Sequence, residues 1–115
     1  MIWTSFYQQP YKDLVGRVIG DRTISGIYKI TCLLNKKAYI GKSTDIGKRW
    51  SEHIKSFLEI GTIAKTQLYS EMKKLGAENF TFEVLEEVDK DNLFAKESYW
   101  INFYQTNTYG LNMKL

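Results

Sequence analysis

The sequence predicts a small α+β domain in which a mainly antiparallel sheet of about three strands is flanked by about three helices. Two observations support this prediction. Strand-like runs occur twice in succession around a turn and once more alone, whereas other stretches repeat apolar residues at steps of three and four. Their order, which is hairpin, two helices, strand and helix, contains no internal repeat and no long linker. A sheet this small needs helices to hide one of its faces.

The first two strands are predicted to form a hairpin. A run rich in β-branched and aromatic residues begins at Ile27, and a tight turn at Asn35-Lys36 leads into a second short strand. A two-residue loop would place Tyr39 opposite Cys32, with Tyr28 and Tyr39 on the same face of the sheet. A loop one residue longer would place the two tyrosines on opposite faces. Tyrosine is common in strands, so this placement by itself assigns no function.

The remaining elements follow from apolar spacing and from helix caps. Ser43 and Thr44 are candidate caps for the first helix, Gly61 ends it, and Gly76 stops the second helix. The predicted ranges are 45–61 and 64–75 for the first two helices, 79–88 for the last strand, 90–105 for the third helix and 109–115 for a short tail that pairs or packs.

Composition excludes several classes of site. The chain has one cysteine, Cys32, and one histidine, His53, so it can form neither an internal disulfide nor a structural zinc site. An oxygen-liganded metal stays open. No apolar run is long enough to span a bilayer, and residues 1–10 lack the features of a signal peptide. These features predict a reducing, intracellular and cytoplasmic location without membrane partners.

Charge is distributed unevenly along the chain. The net charge of +3 is too small to indicate a polyanionic partner by itself. Residues 36–55 nevertheless hold six basic and two acidic side chains, whereas residues 78–97 hold seven acidic and two basic ones. A phosphate backbone is therefore expected at the hairpin and first helix, although a solvated charged surface would give the same pattern.

A few polar residues stand where the pattern predicts apolar ones. Glu97 lies four residues after Leu93 and three before Trp100, both predicted to face the core. A buried carboxylate needs a partner, and either a salt bridge or a metal would supply one. Arg49 and His53 are four residues apart and therefore project from the same face of the first helix, where a solvated surface is the simpler interpretation.

Two tripeptides and their continuation resemble a known family. Gly26-Ile27-Tyr28 and Tyr39-Ile40-Gly41 are separated by ten residues, and several further residues then follow in order: Lys42, Lys48-Arg49-Trp50, His53, Glu97 and Asn112. This arrangement is similar to the GIY-YIG nuclease superfamily over about Ser25–Asn112. His53 is similar to the histidine of the phage homing-endonuclease and restriction-enzyme branches.

The resemblance implies a divalent-metal-dependent endonuclease that hydrolyses DNA phosphodiester bonds through a tyrosine-activated water. It implies that Tyr28, Tyr39, Arg49, His53 and Glu97 share one catalytic pocket. Glu97 would hold a single Mg²⁺ or Mn²⁺ ion, and Tyr28 would be the general base, assisted by His53 as proton relay. Arg49 would clamp the scissile phosphate, and Tyr39 would donate to a phosphate oxygen or position the water.

The resemblance also implies the partners and the domain limits. DNA is the expected partner, and the residues expected to bind it are Lys42, Lys48, Arg49 and Asn112. Residues 1–24 form an arm outside the resemblance, and residues 25–115 form the nuclease domain. The resemblance also allows an additional DNA-targeting domain or subunit. Two other functions remain as alternatives, namely a nucleic-acid-binding module that does not cut and a nuclease acting on RNA or branched DNA.

Overall fold

The computed structural model describes residues 2–3, 23–50, 52, 67–76 and 79–112. The strands are β1 (Ile2–Trp3), β2 (Gly26–Cys32), β3 (Ala38–Ser43) and β4 (Phe80–Glu87). In the described part the helices are α1 (residues 46–50 and 52), α2 (Gln67–Leu75), α3 (Leu93–Tyr104) and α4 (Thr106–Tyr109), with a 3₁₀ turn at Lys90–Asn92 before α3.

The sheet has the order β1-β4-β2-β3, and each neighbouring pair of strands is antiparallel. Its three longer strands are the hairpin and the late strand that the sequence predicts, so the predicted α+β fold is confirmed. β1 adds a two-residue strand to the far side of β4, where Ile2 is paired with Glu83. This short strand falls in the predicted N-terminal arm, and β3 forms the opposite edge of the sheet.

The predicted two-residue hairpin loop is wrong. Tyr39 pairs with Ile30 and not with Cys32, because Cys32 lies opposite Lys37 and four residues, Leu33–Lys36, separate these two positions. The Lys36 backbone is left-handed, with φ of 64°, and its N–H donates to the Cys32 carbonyl oxygen at 2.9 Å. The shift in pairing is an even number of residues, so the predicted common face of Tyr28 and Tyr39 is retained.

Alternation along the strands gives the sheet two buried faces. One face carries Tyr28, Ile30 and Cys32 of β2, and it packs against α1 and α2 through Trp50 and Met72. The other face carries a smaller cluster that packs against α3: Ile27, Ile40, Val88 and Leu93, with Leu85, Trp100 and Ile101 beside them. Helices therefore cover both faces of the sheet, whereas the sequence-based expectation is that helices hide only one face.

Local hydrogen bonds explain where the helices begin and end. The first helix is capped by Asp45, whose Oδ1 accepts from the Lys48 N–H at 3.1 Å, while Ser43 Oγ accepts from the Asp45 N–H at 2.9 Å. Ser43 thus contributes as predicted, but Asp45 makes the capping bond. α2 ends at Leu75, as predicted, and the Gly76 N–H donates to the Met72 carbonyl at 2.9 Å.

Some predicted boundaries fall outside the described residues, including the end of the first helix at 61 and the start of the second at 64. The predicted third helix is divided into the 3₁₀ turn and α3, and it ends where Gln105 adopts a left-handed φ of 54°. The tail packs through Leu111, which is buried and whose N–H donates to the Ala38 carbonyl at 2.8 Å. None of the described helices is both long and apolar enough to cross a lipid bilayer.

Candidate functional site

The two tyrosines of the hairpin lie close together, and one of them packs over a glycine. Tyr28 is paired with Gly41 across β2 and β3, and a Cβ atom at position 41 would overlap both the ring and the hydroxyl of Tyr28. The absent side chain of Gly41 is therefore what lets the Tyr28 ring lie across β3. The ring centroids of Tyr28 and Tyr39 are 6.4 Å apart, and Tyr28 is only 1% exposed whereas Tyr39 is half-buried.

The first helix contacts this tyrosine pair through Trp50. The Trp50 ring meets Tyr28 edge to face at 6.1 Å between centroids and packs against Phe82 of β4 at 5.2 Å. Trp50 is completely buried, so it fixes the position of α1 on the sheet. The preceding residue on α1, Arg49, has a side chain that is 41% exposed, and its Nη1 lies 4.0 Å from Glu52 Oε1.

Glu97 approaches β3 from the other face of the sheet. It lies on α3, and its Oε1 accepts a hydrogen bond from Lys42 Nζ at 3.0 Å. Lys42 directly follows Gly41 and alternates onto the face of Ile40, which packs against α3. The side chain of Glu97 is 20% exposed and that of Lys42 is 40% exposed. Glu97, the carboxylate predicted among apolar residues, thus has a lysine partner. A salt bridge is one of the two partners that the sequence allows for it.

The donor set at Glu97 fits a hard divalent cation. Among the described residues the second carboxylate oxygen, Oε2, has no hydrogen-bond partner, so one oxygen is available to a metal. No group of three or more His, Cys, Asp or Glu side chains that could hold a metal occurs in the described part of the chain. A single carboxylate suits Mg²⁺, which keeps several waters and takes other oxygen ligands from its substrate.

Asn112 supports the strand that carries the second tyrosine. Its Oδ1 accepts from the Ile40 N–H at 2.8 Å, and its Nδ2 donates to the Ile40 carbonyl at 2.9 Å. The side-chain amide therefore pairs with edge strand β3 as a neighbouring strand would. Both the oxygen and the nitrogen of the Asn112 side-chain amide therefore bind the backbone of the Tyr39-Ile40-Gly41 segment. These bonds agree with a role of Asn112 in holding the site in place.

The sequence did not identify the contacts that anchor α3. Glu86 of β4 accepts from Trp100 Nε1 at 3.1 Å through Oε1, and its Oε2 lies 3.2 Å from Lys96 Nζ. The hydrogen bond from Trp100, followed by that from Lys96, lowers the pKa of the Glu86 carboxyl from its ordinary value of 4.5. Glu86 is paired with Ile27 and lies on the same face of the sheet, the face that α3 covers. A carboxylate at a position that alternation assigns to this covered face is the sequence signal that could have indicated the contact.

The predicted site residues therefore form two groups on either side of one short segment. Tyr28, Tyr39 and the Arg49-Trp50 pair lie on one face, and Lys42 and Glu97 lie on the other. Gly41 and Lys42 join the two groups at the edge strand of the sheet. Lys48, also predicted to bind DNA, is exposed on α1, and His53 lies outside the described residues.

Comparisons with known proteins identify the family of this domain. The GIY-YIG catalytic domain family matches residues 24–110. Intron-associated endonuclease 1 of Enterobacteria phage T4 is 36% identical over 91 residues, which are 77% of this chain and 36% of that relative. The chain thus spans about a third of the length of this curated relative.

Two solved structures have the same fold. The catalytic domain of homing endonuclease I-TevI superposes with a TM-score of 0.70 at 33% identity, covering 79% of this chain and 99% of that one. A mutant of the catalytic domain of intron endonuclease I-TevI gives a TM-score of 0.69 at 34% identity, covering 78% and 93%. The family match covers residues 24–110, which is most of this chain, and it shows that the chain belongs to the GIY-YIG catalytic domain family.

Proposed function

We propose that this domain is a divalent-metal-dependent endonuclease that hydrolyses DNA phosphodiester bonds, with Tyr28 activating the attacking water. The observation that carries the proposal is the packing of Tyr28 over Gly41 beside Tyr39, on the strand whose next residue, Lys42, pairs with Glu97 from the other face of the sheet. The relatives support it, since the curated relative and both solved structures are named as endonucleases.

Phosphodiester hydrolysis needs an activated water, neutralised phosphoryl oxygens and a stabilised leaving oxygen. Mg²⁺ or Mn²⁺ held by Glu97 would supply Lewis-acid stabilisation of the leaving oxygen when bound. The protein groups around it would supply the rest. Arg49 directly precedes Trp50 on α1 and its side chain is 41% exposed, so a phosphate can reach its guanidinium fork, which matches two phosphate oxygens.

Tyr28 would accept the proton of the attacking water. A phenol with an ordinary pKa of about 10 is a poor base at neutral pH, so nearby positive charge has to assist it. Arg49 provides such a charge next to Trp50, and we assign the proton relay to His53. Tyr28 is 1% exposed and its hydroxyl lies against Gly41, so the attacking water would have to bind beside Gly41 on edge strand β3.

The remaining predicted residues would bind and hold the substrate. Tyr39 is half-buried beside Tyr28 and would donate its hydroxyl to a phosphate oxygen or position the water. Lys42 and Lys48 are exposed and would bind phosphates. Asn112 would act through β3, since its amide holds the backbone of Ile40.

A cleavage assay on long duplex DNA, with magnesium or with EDTA, tests the proposal. Wild type should cut only with the metal, Glu97→Gln should not cut, and Tyr28→Phe should bind DNA but cut at least about a hundredfold more slowly. Tyr99→Phe is the matched control, because Tyr99 is an exposed tyrosine on α3 and its hydroxyl loss should leave the rate unchanged. DNA binding without cutting by wild type, or cutting of RNA alone, would contradict the proposal.

A further inference from the structure

The Lys42–Glu97 pair joins a residue proposed for phosphate binding to the residue proposed for metal binding. Lys42 Nζ is 3.0 Å from Glu97 Oε1 and 5.9 Å from the ring centroid of Phe94, one turn earlier on α3. Lys42 is twice as exposed as Glu97, at 40% against 20%. Its ammonium group therefore borders both the half-buried carboxylate and the solvent from which DNA would approach.

We propose that Lys42 is the resident counter-cation of Glu97 and couples metal binding to DNA binding, an inference that rests on the proposed function. In the DNA-free protein the Lys42 ammonium neutralises the carboxylate and competes with the metal for it. When a DNA phosphate binds, Lys42 turns to the phosphate, and the whole Glu97 carboxylate becomes available to the divalent ion.

Electrostatics explains why the two cations compete. An ammonium group hydrogen-bonded to Oε1 would stand within a few ångströms of a divalent ion bound to the same carboxylate, and the two positive charges would repel. Lysine suits this role because its charge is compact and sits on a flexible four-carbon stem, which can reach a second anion without moving the strand.

The coupling has to be reciprocal. If a bound phosphate removes Lys42 from Glu97 and so increases metal affinity, then the metal increases DNA affinity by the same factor. Lys96 provides a comparison on the same helix, since it pairs with a different carboxylate, Glu86, at 3.2 Å. Loss of its charge should have little effect on a metal at Glu97.

Binding of Mn²⁺ to the DNA-free protein, measured by electron paramagnetic resonance of the free ion, tests the competition directly. Lys42→Gln should bind Mn²⁺ about five- to tenfold more tightly than wild type, because one repelling charge is lost. Lys42→Arg keeps the charge and should bind like wild type. Lys96→Gln loses the same charge elsewhere and should change the affinity less than about twofold.

The same titration with duplex DNA carrying uncleavable phosphorothioate linkages tests the coupling. DNA should tighten Mn²⁺ binding to wild type about five- to tenfold and should have less than about a twofold effect on Lys42→Gln. Equal Mn²⁺ affinities of wild type and Lys42→Gln, with and without DNA, would overturn the inference.

A third variant separates this inference from the proposed function. Glu97→Gln should abolish the Mn²⁺ binding seen in wild type. If it binds Mn²⁺ as wild type does, the metal site of the proposed function is wrong, and the role of Lys42 falls with it. If binding depends on Glu97 but not on Lys42, only the coupling is wrong. Thermal melting followed by circular dichroism verifies that each variant is folded.

Discussion

A methyl group at position 41 would occupy space that the Tyr28 ring and hydroxyl fill. Gly41→Ala should therefore either move β3 or push Tyr28 out of its contact with Trp50, at a cost of about 1–3 kcal/mol in the free energy of unfolding. Urea denaturation measures this cost. Gly47→Ala is the control, because Gly47 lies in α1, where alanine is the better helix former and stability should not fall. A Gly41→Ala protein as stable as wild type would contradict the contact.

Asn112 offers a second test at the scale of one side chain. Asn112→Ala leaves the N–H and carbonyl of Ile40 without their side-chain partner at an edge strand, so unfolding should become easier by about 1–2 kcal/mol. Hydrogen exchange locates the change, because the Ile40 amide should exchange faster while amides between β2 and β4 keep their protection. Unchanged exchange at Ile40 would show that the amide bonds do not hold β3.

At this scale the sequence identifies residue types better than their partners. Glu97 stands out because a carboxylate interrupts the apolar face of α3, and the two tyrosines stand out through the repeated tripeptides. The lysine that pairs with Glu97 is 55 positions away in the sequence. The apolar periodicity predicts which face of its helix or strand a side chain occupies. The packing of α3 against β3 then decides which basic side chain reaches the Glu97 carboxylate.

In the hairpin, strand alternation predicts which face each side chain occupies, whereas the residues of the loop decide its length and the exact pairing. The common face of Tyr28 and Tyr39 depends only on the parity of the pairing, so an error of two residues in register leaves it unchanged. The four-residue loop itself depends on a left-handed Lys36 and on Asn35 Oδ1, which accepts from the Lys37 N–H at 3.0 Å. Neither feature follows from the strand pattern.

The attachment of α3 to β4 should depend on pH through Glu86. Its pKa is lowered in the folded protein, first by Trp100 and then by Lys96, so this carboxylate stabilises the fold above its ordinary pKa of 4.5. The contribution is lost as the pH falls through the folded-state pKa. Glu86→Gln should therefore melt about 1–4 °C below wild type at pH 7, with the difference shrinking below about pH 4.

Melting curves between pH 3 and 7 check this prediction, with Lys96→Gln as the partial variant. Lys96 lowers the pKa alongside the hydrogen bond from Trp100, so its replacement alone should reproduce only part of the pH dependence. A constant difference in melting temperature between wild type and Glu86→Gln across this range would show that the carboxylate charge does not contribute.

For the whole molecule, the sequence predicts which residues are inward but not which side of the sheet each helix covers. Trp50 and Leu93 are both inward positions of their helices, yet they belong to two cores on opposite faces. Choosing between faces requires the packing of elements far apart in the chain, and each amphipathic pattern fits either face. The consequence for the site is that its two groups reach the same edge strand from both faces.

The uneven charge of the whole domain predicts how DNA binding responds to salt. Lys48 is exposed in the basic stretch, where it would contact a phosphate, so Lys48→Gln should weaken binding by a similar factor on unrelated duplexes. It should also reduce the slope of log affinity against log salt by about 0.9. Fluorescence anisotropy in EDTA, which prevents cleavage, measures both quantities. Lys90→Gln changes the same charge within the acidic stretch and should leave both unaltered; an equal loss of slope in the two variants would mean that DNA does not bind at the hairpin and first helix.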